Sequence, residues 1–209
     1  MTIIVEIDHE DIRKAKQYTV EKYKFSYKRL GETEKEEQFL HLFIGKLGEL
    51  IGKKAVDSIN IPNVCEDMLV VVKDQYYKDN ADIILFPETL PMKVDIKTSW
   101  KYQIEKTYLV IPEDQFENQI KDLYIGVKVY PTKIYESPLL PDIQKEAKVF
   151  GWVLREDLQP PDTCPLNLFG RSFWILFEDL KPLEELFELV SQKERALSKK
   201  EYFLSDFIV

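Results

Sequence analysis

Cysteine and histidine are nearly absent, with two of each among 209 residues. Cys65 and Cys164 lie far apart in the chain, which excludes a disulfide framework and a thiolate zinc cluster; both are expected to be buried or inert. With only His9 and His41, a histidine-based nucleophilic triad is poorly supplied, and both are read as surface or packing residues. Carboxylates and lysines must then carry whatever chemistry there is. No apolar run approaches the roughly 20 residues that cross a bilayer. Residues 1–7 are too short and lack the basic stretch of a secretory signal, so an intracellular, cytoplasmic protein without a membrane partner is expected. Seven Gly and eleven Pro exclude collagen-like and glycine-linker compositions. The chain also has no Gly-rich phosphate loop, no G-x-S-x-G elbow and no C-x-x-C.

What is present suits one ordinary domain over residues 1–209, since 44% hydrophobic and 32% charged residues can fill and solvate a sizeable core. The net charge of −8 speaks at first against a nucleic-acid partner, but the charge is unevenly spread. Residues 11–54 hold 11 Lys and Arg against 7 Asp and Glu, whereas the remainder holds 18 against 30. A locally basic surface can bind phosphate on an acidic protein. Within residues 11–30, Lys22, Lys24, Lys28 and Arg29 are interleaved with Tyr23, Phe25 and Tyr27. Two readings stay open: a track for a phosphate backbone, or a helix or strand with aromatics in the core and lysines in water.

The clearest helix follows. Thr33 and Glu36 have the spacing of a capping box. Leu40, Phe43, Ile44, Leu47 and Ile51 then recur as one buried stripe. Gly45, Gly48 and Gly52 share another flank, each costing about 0.8–1 kcal/mol against Ala in a helix. Close approach by another backbone is the simplest reason for three of them. Glu49 sits beside that flank, with Leu42 and Val56 on its own face, which is no setting for an ordinary solvated glutamate.

Strand signals come next: 68–72, a turn at Asp79-Asn80, then 81–86 opening with Asp82, a turn over 87–91, and 92–100 antiparallel to it. In the last of these, Met92, Val94, Ile96 and Thr98 face one side and Lys93, Asp95, Lys97 and Ser99 the other. A helix over 113–121, a strand over 123–130, a loop over 131–141, a strand over 147–154, a loop over 160–165 and a strand over 172–177 complete the pattern. A C-terminal helix over 183–199 has Pro182 at its first turn, and the aromatics of 169–177, including Trp174, are read as core or dimer surface. The sum is a mixed α/β sheet flanked by helices.

Asp95 and Lys97 share a strand face about 6.5–7 Å apart, and the hairpin can bring Asp82 beside Asp95. Two adjacent carboxylates repel unless something neutralises them. A hard divalent cation does so, since Mg²⁺ favours one or two carboxylates with water and substrate phosphate completing its shell. A neighbouring lysine can hold the attacking water and offset the charge of a phosphate in the transition state. Glu49 can supply a third carboxylate.

Glu49, then Asp82, then Asp95-Ile96-Lys97 resembles the signature of the PD-(D/E)xK nucleases, the restriction-endonuclease-like superfamily, although Ala81 stands where the proline of the motif would be. The resemblance implies a restriction-endonuclease-like mixed β-sheet flanked by helices, with a catalytic core over about 33–155 and elaborations at both ends. It implies Asp82 and Asp95 as metal ligands, Glu49 as a further ligand, the Ile96 carbonyl as an additional one, and Lys97 as the catalytic lysine. Downstream it implies a helix with a Gln (Gln115 or Gln119), the 122–130 strand and the strand with Phe150-Gly151-Trp152-Val153.

The expected function is a Mg²⁺-dependent endonuclease (Mn²⁺ substituting) that hydrolyses DNA phosphodiester bonds, of restriction or defence type, acting as a homodimer because a duplex cut needs two sites. Lys22, Lys24, Lys28, Arg29 and the 131–141 loop are the expected DNA contacts. Alternatives are a structure-selective or RNA-processing nuclease of the same fold, and a non-catalytic nucleic-acid-binding protein.

Overall fold

The computed structural model describes residues 2–26, 32–65, 81–100, 107–133, 142–165 and 171–192, with backbone alone at 24–26, 32–37, 132 and 133. The chain opens with strand β1 (Ile3–Glu6) and helix α1 (His9–Ser26). Asp8 and Asp11 start α1 reciprocally, in the manner of a capping box. The Asp11 N–H donates to Asp8 Oδ1 at 2.9 Å and the Asp8 N–H to Asp11 Oδ2 at 3.0 Å. The basic-aromatic stretch is therefore helical as far as residue 26. Lys22 is half-buried there and engaged within the protein. The Lys24 side chain, Lys28 and Arg29 lie outside the described residues.

Helix α2 (Glu32–Ser58) spans 27 residues and begins one residue ahead of Thr33, so the expected cap stands inside the helix. Its apolar stripe forms as the spacing requires: Phe43, Ile44, Leu47 and Ile51 are fully buried and Leu40 packs against them. Each such side chain contributes about 1.5–3 kcal/mol on burial. Asn60 closes the helix in the left-handed conformation at φ 57°, and the Ile61 N–H returns to the Val56 carbonyl at 3.3 Å.

The strands are β2 (Asn63–Val64), β3 (Ile83–Leu85), β4 (Met92–Ser99), β5 (Tyr108–Pro112), β6 (Leu123–Lys128), β7 (Pro131–Lys133), β8 (Asp142–Ile143), β9 (Glu146–Leu154) and β10 (Ser172–Leu176). Six of them form one mixed sheet in the order β1-β9-β6-β4-β3-β2, with β4 and β6 parallel and the other neighbours antiparallel. The expected 68–72 strand and 79–80 turn lie outside the described residues. The expected hairpin of 81–86 with 92–100 is there as β3 and β4, turned at Phe86, whose carbonyl accepts from the N–H groups of Thr89 and Leu90 at 3.2 and 3.1 Å.

Two apolar clusters lie on opposite faces of this sheet. The larger joins α2 to the inward side chains of β4, β6 and β9, with α1 packed behind α2. The smaller lies under a two-stranded layer, β5 with β10, and the short helix α3 (Glu113–Asn118). The expected helix over 113–121 stops at Asn118, because Gln119 is already extended (φ −118°, ψ 100°). The expected 131–141 loop begins as a strand instead: β7 pairs with β8, and 134–141 lies outside the described residues. In β9 the register shifts around Phe150-Gly151. Gly151 has φ 146°, and a Cβ there would stand 2.1 Å from the Lys181 carbonyl oxygen, so only glycine lets the strand bulge against that backbone. Of the expected aromatics, Phe177 is core, whereas Phe173 and Trp174 of β10 are half-buried: Phe173 stacks on Phe116 at 3.7 Å and Trp174 meets Tyr108 edge-on. After Pro182 a single 3-10 turn, Leu183–Glu185, leads into helix over 186–192; the rest of the expected 183–199 helix lies outside the described residues. Among the described residues, no helix is long and apolar enough to cross a membrane.

Candidate active site

The glycine flank of α2 sets how close the helix lies to β4. At Gly48 a Cβ would fall 1.9 Å from Thr98 Oγ1, and at Gly52 it would fall 2.9 Å from the Ile96 side chain. The close approach expected from three glycines is thus real at two of them. It is made by β4 side chains rather than by backbone. Gly45 is different, with nothing within 4 Å of its Cβ position, because it borders a cavity of about 300 Å³.

That cavity lies where α2, the β3–β4 hairpin and α3 meet, and Glu49, Asp82, Asp95, Ile96 and Lys97 all line it. Asp82 immediately precedes β3. Its N–H donates to the Val94 carbonyl at 2.9 Å, and its Oδ2 accepts the Ile96 N–H at 2.6 Å, which ties it to β4. Asp95 is buried on β4, with 8% of its surface exposed. Lys97 Nζ lies 2.7 Å from Asp95 Oδ2 and donates to Gln115 Oε1 at 3.1 Å. Gln115 Nε2 in turn donates to Gln119 Oε1 at 3.3 Å. Of the two glutamines left open by the sequence, Gln115 is the one that touches Lys97.

The electrostatics are frustrated. Asp82 is held well above the ordinary carboxylate range, first by burial and then by the charges of Glu49 and Asp95; the Ile96 N–H opposes the rise only in part. Asp95 Oδ2 is buried, forms an ion pair with Lys97 Nζ and has no further hydrogen-bond partner. Among the described residues, no three His, Cys, Asp or Glu side chains form a group that could hold a metal ion as they stand. Glu49 pairs with Lys46 instead, and Asp95 with Lys97. The residues nevertheless fit a hard divalent cation by their chemistry. Mg²⁺ asks for one or two carboxylates with water and phosphate oxygens, and Asp82 with Asp95 offers the carboxylates.

Lys46 is the residue that sequence reasoning missed. It is buried on α2, three residues before Glu49, with Nζ 4.0 Å from the centre of the Tyr18 ring on α1. Burial pushes its pKa down, but Glu49, Tyr18 and Asp82 together push it further up, so it stays charged. The i, i+3 spacing to Glu49 was the available signal. Lys121, also buried, lines the cavity as well. His41, expected as a surface or packing residue, packs edge-on to Trp100 at 5.5 Å, and both border the cavity. Cys65 and Cys164 form no disulfide and are half-buried rather than buried. Lys22 does not line this cavity.

No protein-family model matches the chain, and no curated protein matches it.

Proposed function

We propose that the protein is a metal-dependent endonuclease that hydrolyses DNA phosphodiester bonds, with the restriction-endonuclease-like form of the mixed α/β fold. The observation that carries this reading is the meeting of Asp82, Asp95, Lys97 and Glu49 in one cavity from three separate elements. The order α2, β3, β4, α3, β6, β9 is also the order that the PD-(D/E)xK resemblance implies. Asp82 and Asp95 would hold a Mg²⁺ or Mn²⁺ ion, with the Ile96 carbonyl and Glu49 as further oxygen donors. When bound, such an ion neutralises the phosphate and lowers the pKa of its water.

The chain's own groups divide the remaining work. Lys97, fixed by Asp95 and Gln115, places an ammonium where charge builds on the phosphate. Glu49 lines the same cavity, and Lys46 pairs with its carboxylate. A homodimer would supply the second site for a double-strand cut.

The test is a panel of supercoiled plasmid, unmodified phage DNA, branched DNA and RNA, incubated with and without Mg²⁺ or Mn²⁺. Wild type is expected to cut DNA only with metal, and Asp95→Ala to leave it intact while keeping its fold. Equal cutting by the variant would overturn the reading. Preference for RNA or branched DNA would move the protein to another branch of nuclease chemistry.

A further inference from the structure

Lys128 on β6 and Lys148 on β9 stand directly opposite each other in the antiparallel ladder. Like charges in that position repel. Both ammonium groups converge on one ring, Tyr130, at 5.6 and 6.0 Å from its centre. Lys128 also donates to Thr107 Oγ1 at 2.8 Å. Among the described residues, neither lysine is paired with a carboxylate. Burial and the neighbouring Lys148 push the Lys128 pKa below its ordinary value, so this pair is arranged against its own electrostatics. Lys128 is half-buried and Lys148 exposed, which leaves the pair open to a solute.

The position of the pair links it to the candidate active site. Ser99 of β4 is the register partner of Lys128, and Lys97 that of Gly126, so Lys128 lies on the sheet face that carries Asp95 and Lys97. Two residues along and one strand across puts Lys128 about 8 Å from Lys97, Cα to Cα. Each DNA strand carries one phosphate per roughly 3.4 Å of helix axis, so a backbone running across this face passes the pair within two or three phosphates of Lys97. We propose that Lys128, Lys148 and the Thr107 hydroxyl form a phosphate subsite that holds the DNA backbone beside the candidate active site. This rests on the nuclease reading and adds to it the side of the molecule along which the substrate lies.

Binding of a fluorescent DNA duplex, followed by anisotropy across a series of NaCl concentrations without divalent metal, tests the subsite separately from cleavage. Each lost phosphate contact flattens the plot of log K against log salt by about 0.9. Lys148→Gln, at an exposed position, is expected to flatten it by about 0.9, and Lys128→Gln with Lys148→Gln by about 1.8. Lys53→Gln removes a lysine paired with Asp57 on α2, at 2.6 Å, and is expected to leave the slope unchanged. A wild-type slope in both Lys148→Gln and the double variant, in a protein that binds and cuts DNA, would overturn the subsite alone. The same flattening in Lys53→Gln would also overturn it. A wild type that neither binds the duplex nor cuts would overturn the nuclease reading, and the subsite with it.

Discussion

Two clusters of carboxylates and lysine sit on α2, and they are built in opposite ways. At the outer one, Lys54 reaches Asp8 at 2.8 Å and Asp11 at 2.5 Å, and both carboxylates also accept backbone N–H groups at the start of α1. Every charge there has a partner, and the Asp8 pKa is pulled down to about 2, chiefly by its bond to Lys54. At the inner one, Asp82, Asp95 and Glu49 share a cavity, Asp82 is pushed up rather than down, and Asp95 Oδ2 has no hydrogen-bond partner beyond its ion pair with Lys97. The first arrangement holds two helices and a strand together. The second leaves unfavourable electrostatics in place where a ligand would relieve them, which is how groups at functional sites differ from structural ion pairs.

Breaking the inner cluster should change activity far more than stability. Asp95→Asn is expected to abolish metal-dependent cleavage while the melting temperature changes little, because relief of the repulsion with Asp82 offsets the lost ion pair with Lys97. A large fall in melting temperature would mark Asp95 as structural. Lys97→Ala is expected to slow cleavage by about 10²–10³-fold, the usual cost of removing one preorganised donor to a developing charge. Comparable rates in wild type and variant would remove Lys97 from the chemistry.

The contact that sets the cavity's width should respond in stability instead. In Gly48→Ala the new methyl meets Thr98 and must displace α2 from β4, at about 1–3 kcal/mol. Adding Thr98→Ala should recover part of the loss and not all of it, because the Thr98 Cβ itself stands 2.7 Å from the new methyl, as read by chemical denaturation. Failure of that rescue would mean that Thr98 is not what the helix packs against.

The smallest effect belongs to the outer cluster. Lys54→Met is expected to lower the melting temperature modestly at pH 7 and to leave cleavage intact. Because the folded pKa of Asp8 lies below its ordinary value of 3.8, its contribution is complete above about pH 4 and fades as pH falls toward about 2. Wild type and Lys54→Met should therefore converge in stability at about pH 2. A constant gap between them would show that Lys54 acts through packing rather than through charge.

The inner cluster was largely legible in the sequence, because its parts obey local rules. The stripe of α2 marks its buried face, the alternation of β4 puts Asp95 and Lys97 on one side, and a short turn returns Asp82 to that strand. What escaped was set by distant partners. Strand β5 pairs with β10 more than sixty residues later, and no local signal announces it. Helix α1 buries Asp11, Ala15 and Thr19 rather than large apolar residues, so no apolar stripe marks its inner face. Lys46 looked like any lysine on a helix, and only the packing of Tyr18 over it reveals its burial. Lys128 and Lys148 are unremarkable until the β6–β9 register sets them face to face.

The most direct test of the central claim is the melting temperature of wild type, Asp95→Ala and Lys54→Met across a Mg²⁺ and Mn²⁺ titration. A cation that binds the folded cavity must raise the melting temperature as its concentration rises. The account predicts that rise in wild type and Lys54→Met and its loss in Asp95→Ala. An equal response in all three proteins, or none in wild type, would contradict it.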